Sequence, residues 1–504
     1  MLDYLINLNL MKRIGLFIVF LLCMSLSNYA GQPAFVPTHS PNPWKDDYRD
    51  LSKMEKYLQW GTYNVHDPSC KKIGDNYYMY STDAIFFDHR TEAGEKPKGF
   101  IQVRRSKDLV HWEFVGWAFP EIPKEAVEWV HTHADGRGAT NIWAPFIIPY
   151  KDKFRLYYCV SAFGRKISYL GLAESDSPEG PWEQKGYVVK TNEESVMNAI
   201  DPTVIVDNQT GKWQMIYGSY FGGLFCVELN PETGHTMQPD DKGQVVARRA
   251  NYRKDNLEAP DILYNPDLKK YFLFVSYDPL MTTYNVRAGR SEYPDKDFKD
   301  FFGKEMKDTV NIFPILTAPY QFDNHPGWAG TGHCGVFSDE KGNYFMAHQG
   351  RLSPQNQLMV LHVRQMFFTS GGWPVVSPER YAGSQPIHFK SIDLAGEWEI
   401  IRIFEPVAER QLEAGQVLPG EGNLNANEKN TSFHILFSKG GKIDEKNGKW
   451  SFTEKKQLLN LTLNGEKIKN LIVFAGHDWE NETETVLFTG LDSRGRSVWG
   501  KRIK

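Results

Sequence analysis

The chain has 504 residues, a formal net charge of −4 and 24% charged residues. This length can form two domains with sizeable cores, and the slightly negative charge excludes the strongly basic surface with which proteins bind nucleic acids. Aromatic residues make up 14% of the chain. Most of them are expected to fill the cores of a strand-rich protein, although aromatic rings also stack on sugars.

The N-terminus is typical of an export signal. The basic pair Lys12-Arg13 precedes an apolar run at 14–26, and Ala30-Gly31 supplies small residues for cleavage. Because the run is too short to span a bilayer, it predicts a signal peptide over residues 1–31, with translation starting at Met11. We therefore expect an exported protein without a membrane span, located in the periplasm, on the cell surface or in the medium.

The five cysteines show no CxxC spacing that would indicate a metal or redox site. Cys23 lies in the apolar run, and its flanking residues match a lipoprotein cleavage site poorly, so a lipid anchor there is open but not favoured. The other four fall in or beside apolar strands of different segments. We expect these four to be buried free thiols rather than disulfides or metal ligands: Cys70, Cys159, Cys226 and Cys334.

Five segments repeat one pattern, which is a polar or proline-containing turn, an apolar strand, a charged or glycine-containing turn and an aromatic strand. Further strand-like stretches lie between them, so each unit holds about four short strands. No long amphipathic helix interrupts the pattern. Units of this length favour a propeller over a solenoid, and we expect an all-β fold with a five-bladed β-propeller over residues 40–390. The segments begin at Val65, Ile142, Ala199, Leu257 and Thr331.

Residues 393–504 have a different character. Short apolar strands follow one another there, and the stretch Leu412–Asn430, rich in Gly, Asn and Glu, is predicted to be a loop. Antiparallel strands in a segment of this size favour a small β-barrel or sandwich. Because this segment has no carboxylate set comparable to the one in the repeats, we expect it to play a supporting role.

Carboxylates occur in the repeats where the strands that line the channel are expected to begin. Asp67 and Asp201 directly precede prolines, and Glu258 lies close to another. In a propeller these side chains would converge at one mouth of the channel. Any one of them alone could be a turn-capping residue, but three together match the needs of glycosidic hydrolysis, which requires a proton donor, a base and control of the acid's pKa.

Short motifs also run through the repeats in a fixed order: HDP at His66–Pro68, IWAP at Ile142–Pro145, NAIDP at Asn198–Pro202, YGS at Tyr217–Ser219, EAP at Glu258–Pro260 and GHCGV at Gly332–Val336. Together they resemble glycoside hydrolase family 43 and, within it, the bacterial α-1,5-L-arabinanases with an appended C-terminal β domain. The resemblance spans nearly the whole expected propeller. It is therefore much more specific than any single tripeptide.

The resemblance implies an inverting mechanism in which Asp67 is the general base and Glu258 the general acid. Asp201 corresponds to the carboxylate that tunes and orients the acid. The resemblance further implies that His333 holds a hydrated metal ion, usually calcium, in the channel. Calcium favours several oxygen ligands, so water would complete the site; a channel histidine without metal is the alternative.

Further residues are expected to contact the substrate. Trp143 corresponds to a sugar platform, with a core tryptophan as the alternative. Phe163, Asn198 and Ser219-Tyr220 are expected to border the reactive sugar. Arg290 could bond a substrate hydroxyl, although an arginine beside strand carbonyls is often structural.

We therefore expect a secreted, monomeric glycoside hydrolase that cleaves α-1,5-L-arabinofuranosidic bonds in arabinan or arabino-oligosaccharides by endo action. An exo-acting arabinanase, an α-L-arabinofuranosidase or a β-xylosidase of the same fold is the nearest alternative, since the choice depends on whether the cleft is open at both ends. A propeller that only binds glycans is more distant. Pure binding would not require three buried carboxylates.

Overall fold

The computed structural model describes residues 51, 53–84, 98–249, 255–309, 311–354, 359–405, 429–444 and 448–503. The expected signal peptide, including Met11 and Cys23, lies outside the described residues, as does most of the predicted loop at 412–430. The described residues belong to one compact unit, Thr38–Lys504. Across these ranges, no helix is both long and apolar enough to cross a bilayer.

Four four-stranded antiparallel sheets follow one another along the chain, each made of consecutive strands. Sheet 1 contains β1 (His66–Ile73), β2 (Asn76–Thr82), β3 (Phe100–Ser106) and β4 (Glu113–Phe119), and sheet 2 contains β5 (Trp143–Tyr150), β6 (Lys153–Ser161), β7 (Ser168–Ser175) and β8 (Glu183–Thr191). Sheet 3 contains β9 (Thr203–Val206), β10 (Trp213–Tyr217), β11 (Leu224–Leu229) and β12 (Gln244–Ala247), and sheet 4 contains β13 (Leu257–Asn265), β14 (Lys270–Tyr277), β15 (Asn285–Ser291) and β16 (Ile315–Thr317). This is the propeller arrangement that the repeats predict.

A fifth, larger sheet follows. Its first six strands along the chain are β17 (Tyr320–Gln321), β18 (Trp328–Ala329), β19 (Cys334–Ser338), β20 (Tyr344–Leu352), β21 (Met359–Phe368) and β22 (Pro374–Val376). Within it, β19, β20, β21 and β22 pair in succession, as the strands of the first four sheets do, while β18 and β17 extend the sheet from β20.

The first strands of the five sheets are neighbours in space. Contacts run from β1 through β5, β9, β13 and β19 and return from β19 to β1. The approach of β19 to β1 is very close, because a Cβ atom added at Gly335 would lie 2.3 Å from the carbonyl oxygen of Pro68. The ring of contacts brings the beginnings of these strands, and the polar residues there, to one end of the molecule.

Within the described residues, an α-helix, α1 (Lys124–His133), lies between sheets 1 and 2, where no long helix was predicted. It buries Ala126 and Val130 against sheet 2, and the Tyr169 hydroxyl donates to Glu125 at 3.1 Å. The helix thus covers one flank of the core without altering the sheet order. The part of the chain that the structure describes also has short 3-10 helices at Met54–Gln59, Ser391–Leu394 and Glu454–Lys456.

Buried apolar clusters fill the spaces between successive sheets. Sheets 1 and 5 share one such cluster, in which Cys70 and Met79 pack with Phe337 and Leu361. The four cysteines of the strands are buried free thiols, as predicted: Cys70, Cys159, Cys226 and Cys334.

The C-terminal segment forms a seven-stranded antiparallel sheet. Its strands are β23 (Gly396–Arg402), β25 (Phe433–Phe437), β26 (Lys449–Thr453), β27 (Leu458–Leu463), β28 (Glu466–Asp478), β29 (Thr483–Leu491) and β30 (Ser497–Arg502), and β24 (Asn430–Thr431) pairs instead with β17. Single bridges from Phe437 to Ile443 and from Lys442 to Lys449 connect its two edge strands, β25 and β26. The sheet therefore curls toward a barrel, and its interior is filled by stacked Trp398, Phe437 and Trp450.

The C-terminal sheet is joined to the fifth sheet through buried contacts. Ile401 and Trp499 belong to the same apolar cluster as Trp328 of β18. The Thr489 hydroxyl donates to the Val376 carbonyl oxygen at 2.7 Å. The two parts of the chain thus share a core.

Candidate active site

The site is built on a backbone distortion repeated at the start of the innermost strands. In sheets 1, 2 and 4 the pairing register shifts within the first residues of the strand, as in a β-bulge. At the start of each innermost strand one residue has a left-handed φ, which costs a non-glycine residue about 1 kcal/mol and persists where the surroundings require it. These residues are Asp67 (51°), Ala144 (44°), Asp201 (57°), Ala259 (54°) and His333 (48°).

The catalytic candidates come from two adjacent positions of this distortion. Asp67, Asp201 and His333 have the left-handed conformation, whereas Glu258 precedes a left-handed residue, as His66 does in sheet 1. Glu258 therefore lies one position earlier in its repeat than Asp67 and Asp201 do in theirs, as the residue between it and its proline also shows. Because the bulge turns both positions toward the channel, both supply side chains to one cavity.

A cavity of about 140 Å³ lies at this end of the channel. The structure brings to it every sequence-predicted site residue except Arg290. These residues are Asp67, Trp143, Phe163, Asn198, Asp201, Ser219, Tyr220, Glu258 and His333.

Arg290 lies elsewhere, which corrects the expectation that it bonds a substrate hydroxyl. Its Nη1 donates to the carbonyl oxygens of Gly371 and Gly372 at 2.9 and 2.8 Å, and its guanidinium lies 4.1 Å from the centre of the Trp373 ring. It binds the turn between β21 and β22 to β15. The alternative of a structural arginine is the one that the structure supports.

Asp67 is buried and surrounded by donors. Its Oδ1 lies 2.6 Å from His66 Nδ1 and 2.8 Å from His333 Nδ1, and its Oδ2 accepts a hydrogen bond from Thr82 Oγ1 at 2.8 Å. Burial opposes ionisation, but the charges and hydrogen bonds of His333 and His66 outweigh it and hold the pKa of Asp67 well below its ordinary value. The group is thus an ionised carboxylate, the form that can accept a proton.

The pKa values of Glu258 and Asp201 shift in the opposite direction, upward. Burial raises the pKa of Glu258, although Ser219 Oγ donates to its Oε2 at 2.7 Å and the Tyr284 hydroxyl also bonds it. Burial raises the pKa of Asp201 to about 8, with a further contribution from Glu258, and the Ala259 amide donates to its Oδ2 at 3.1 Å. Two buried carboxyls that repel each other as anions hold a proton between them at neutral pH.

His333 carries positive charge in this surrounding. Burial disfavours the charged ring, but Asp67, Asp201 and Glu258 together raise the pKa of His333 to about 9. Its backbone amide donates to Ser276 Oγ at 2.8 Å, which holds the residue in place. The excess of carboxyl groups favours a positive charge at this ring, whether a proton or a metal ion.

As a metal site, the cavity would present the imidazole of His333, with water completing the coordination. Nδ1 of His333 is engaged by Asp67, so Nε2 is the nitrogen that could face an ion. Among the described residues, the groups of three side chains whose ligand atoms lie close enough to share an ion are elsewhere, at Asp323, Glu399 and His434 and at Glu379, Asp478 and Glu480. The negative surroundings fit a cation, and a hydrated one, because the protein supplies few direct ligands.

Aromatic and amide groups form the mouth of the cavity. Trp143 and Phe163 meet edge to face with ring centres 6.2 Å apart, and Phe163 is 48% exposed, so the pair offers an accessible apolar corner. Ser168 Oγ donates to Asn198 Oδ1 at 2.6 Å, which leaves the amide NH₂ group of Asn198 as the donor for a ligand. A sugar can stack on the corner and accept a hydrogen bond from the amide.

Several cavity residues were not singled out from the sequence. They include His66, Thr82, Phe221, Leu280 and Tyr284. His66 could have been recognised from its place beside Asp67 in the HDP motif. Thr82 ends the second strand of sheet 1, and Tyr284 precedes the third strand of sheet 4. No local sequence pattern marks a catalytic role at these positions.

Comparisons with known proteins agree with this geometry. The sequence profile of the glycosyl hydrolases family 43 matches residues 61–374, and that of a C-terminal lipocalin-like domain matches residues 378–500. The chain is 28% identical to an extracellular endo-α-(1→5)-L-arabinanase of Thermotoga petrophila, over 90% of this chain and 96% of that protein. It is 29% identical to an extracellular exo-α-(1→5)-L-arabinofuranosidase of Cellvibrio japonicus, over 68% of this chain and 96% of that protein. The crystal structure of endo-1,5-α-L-arabinanase from Thermotoga petrophila is similar, with a TM-score of 0.72 at 26% identity, covering 88% of this chain and 99% of that one.

Proposed function

Because the chain belongs to glycosyl hydrolases family 43, we propose that it is an exported enzyme that cleaves α-1,5-L-arabinofuranosidic bonds of arabinan by endo action, with inversion of configuration. The observation that carries the proposal is the meeting of Asp67, Asp201 and Glu258 in one cavity beside His333. Export and endo action are supported by the relative from Thermotoga petrophila, an extracellular endo-acting enzyme that matches both parts of this chain.

Asp67 is proposed as the general base. As an ionised carboxylate it removes a proton from a water molecule whose oxygen attacks the anomeric carbon of the bound sugar. Its low pKa, held by His333 and His66 against the effect of burial, keeps it ionised over a wide pH range. Inversion requires room for this water, and we expect roughly 6.5–9.5 Å between the base and acid carboxyl groups.

Glu258 is proposed as the general acid. Its raised pKa favours the protonated form, and that proton passes to the leaving glycosidic oxygen as the bond breaks. Asp201 is proposed to tune and orient it, because the two carboxyls repel each other as anions.

We also propose that the fifth sheet closes a five-bladed propeller within residues 40–390, followed by the barrel-like domain at 393–504. Three observations support this closure. Strands β19 to β22 repeat the meander of the first four sheets, β19 contacts β1, and the Asp67 amide donates to Gln349 Oε1 of β20 at 3.3 Å.

Calcium is the cofactor that we propose, hydrated and held at Nε2 of His333. When bound, it would place a fixed positive charge among the carboxyl groups of the cavity. We expect a chelator titration to lower both the rate of arabinan hydrolysis and the melting temperature, and added Ca²⁺ to restore both. No change in either quantity would contradict a tightly bound ion at this site.

The reaction class is tested with Asp67→Asn and Glu258→Gln. Each change should lower kcat on linear arabinan by about 10²–10⁴-fold, because each removes one proton-transfer group. Far-UV circular dichroism and the melting temperature should stay close to those of the parent protein, since both replacements preserve shape. Near-parental rates in both folded variants would contradict the mechanism.

The mode of attack is tested by the products from linear arabinan, with xylan and an aryl arabinofuranoside as controls. A ladder of oligosaccharides is expected. Release of a single sugar or of one short product would instead support the exo-acting alternative, to which the relative from Cellvibrio japonicus belongs.

Size-exclusion chromatography should show the proposed monomer, and plant arabinan or its oligosaccharides should be the partners it binds.

A further inference from the structure

We propose that Thr82 is a positioning residue for Asp67 and that it makes Oδ2 the oxygen of that carboxylate which takes the proton from water. The inference rests on the proposed role of Asp67 as general base. It goes further by assigning the reactive atom and the side chain that fixes it.

The other oxygen of Asp67 is already occupied. Oδ1 lies within hydrogen-bond distance of two ring nitrogens, His66 Nδ1 at 2.6 Å and His333 Nδ1 at 2.8 Å. A carboxylate oxygen has only two lone-pair directions, and two ring nitrogens this close to Oδ1 fill the space around it. A water molecule at Oδ1 would have to displace one of the two imidazoles.

Oδ2 retains one free direction. It accepts a hydrogen bond from Thr82 Oγ1 at 2.8 Å, which uses one lone pair and leaves the other for water. The carboxylate is 6% exposed and lines the cavity, so the remaining direction of Oδ2 is where a nucleophilic water can bind. The bond from Thr82 also sets the rotation of the carboxylate plane.

The direction of the Thr82 hydrogen bond follows from its second partner. The backbone amide of Ala144 donates to Thr82 Oγ1 at 2.9 Å. The hydroxyl has a single proton, and because the amide already supplies its own, the hydroxyl proton points to Asp67. A rigid backbone group of sheet 2 thus orients the base of sheet 1 through one buried hydroxyl.

The equivalent position in sheet 4 has a similar arrangement, which indicates that the hydroxyl is a feature of the repeated sheets. Thr82 pairs with His66, and the corresponding residue of sheet 4, Ser276, pairs with Glu258. Ser276 Oγ likewise accepts a hydrogen bond from a backbone amide at the start of the innermost strand of the next sheet. That amide belongs to His333, and the distance is 2.8 Å. In sheet 1 the hydroxyl at this place also donates to a carboxylate of the site.

With Oδ2 as the accepting oxygen, each proton transfer of the reaction can be assigned to a defined atom. A water O–H bond breaks as its proton passes to Asp67 Oδ2 and the water oxygen bonds to the anomeric carbon. The bond from that carbon to the leaving oxygen breaks, and the leaving oxygen takes the proton of Glu258. If the carboxylate plane rotates, Oδ2 no longer lies in line with the water, and a misplacement of about 1 Å can cost about 10²-fold in rate.

The test compares Thr82→Val, which keeps the shape and removes the hydroxyl, with Thr82→Ser, which keeps the hydroxyl. On linear arabino-oligosaccharides we expect the valine variant to lose about 10–100-fold in kcat with a KM within about two-fold of the parent value. The serine variant should recover most of that loss. Thr203→Val is the matched control, because Thr203 also donates to a buried carboxylate, Asp261 at 2.7 Å, but neither of these two residues lines the cavity.

An unchanged kcat in a folded Thr82→Val protein would overturn the inference. So would equal losses in the valine and serine variants that track a lower melting temperature, because that pattern indicates a structural role. If the valine variant does not fold, Thr82→Cys replaces it, since cysteine stands at the corresponding place in sheet 2, where Cys159 pairs with Trp143. Its weak S–H donor should give an intermediate kcat, and a parental kcat would overturn the inference. An active Asp67→Asn variant would instead refute the proposed function.

Discussion

Asp67 and Glu258 are carboxyl groups buried in the same cavity, yet their pKa values move in opposite directions. Burial alone raises the pKa of both. His333 and His66, whose ring nitrogens lie 2.8 and 2.6 Å from Asp67 Oδ1, overcome the effect of burial there. At Glu258 the hydroxyls of Ser219 and Tyr284 and the charge of His333 do not. The immediate neighbours therefore decide which carboxyl is the base and which the acid.

Asp201→Asn tests how the acid is tuned. Asp201 and Glu258 share one proton, and losing it leaves two anions that repel each other, so a neutral amide at position 201 should ease that loss. Glu258 would then lose its proton at a lower pH, and the basic limb of the kcat/KM profile on arabino-oligosaccharides should move toward lower pH. The acidic limb, set by Asp67, should stay nearly in place. A basic limb that does not move, or moves to higher pH, would contradict the role of Asp201.

At the scale of structural elements, the site depends on how closely the innermost strands approach. β19 passes β1 next to Pro68, the residue after Asp67, and only a glycine at 335 permits this approach. The left-handed residues at the start of the same strands add local strain that the packing must hold. Larger side chains at the strand starts should therefore be poorly tolerated.

Gly335→Ala is expected to destabilise the protein. Its Cβ would meet the Pro68 carbonyl oxygen at 2.3 Å, and relief of such overpacking typically costs about 1–3 kcal/mol. The melting temperature should fall, and activity should fall with it, because the displaced strand carries Asp67. Gly116→Ala in β4 is the matched control, since nothing lies within 4 Å of its added Cβ. Equal stability of the two variants would show that the strands can separate freely.

At the scale of the whole molecule, a buried charge cluster joins the C-terminal domain to the segment that follows β22. Lys501 Nζ lies 3.1 Å from Glu379, 2.9 Å from Asp478 and 2.5 Å from Glu480. Burial opposes ionisation of Glu480, but Lys501 holds its pKa at about 2. Burial and Glu480 raise the pKa of Glu379 well above its ordinary value, so the ammonium faces one protonated and at least one ionised carboxyl.

Lys501→Met should therefore lower stability strongly. Removing one partner of a buried ion pair leaves unpaired carboxylates and typically costs about 3–5 kcal/mol. We expect a lower melting temperature in thermal denaturation followed by circular dichroism. Lys151→Met is the control, because Lys151 and its partner Glu232 are exposed and water screens their attraction. Similar melting temperatures for both variants would show that the cluster does not hold the domains together.

Much of this organisation could be predicted from the sequence. The turn and strand signals of the repeats predicted the successive sheets, and the motifs located Asp67, Asp201, Glu258 and His333. The same signals missed α1, whose short amphipathic pattern is interrupted by polar residues. The sequence shows the offset of Glu258, because Ala259 separates it from Pro260 whereas Asp67 directly precedes Pro68, but only the bulge explains how both positions face one cavity.

What the sequence determined by itself was local: the alternation of strands and turns, the residue types at the strand starts and hence the class of chemistry. The tertiary structure alone decided which groups meet. Gln349 reaches the Asp67 amide across 282 residues of chain, Thr82 links Asp67 to a neighbouring sheet, and Arg290 binds a turn instead of the cavity. Strand and turn preferences act over a few residues, whereas these contacts depend on how whole sheets pack around the channel.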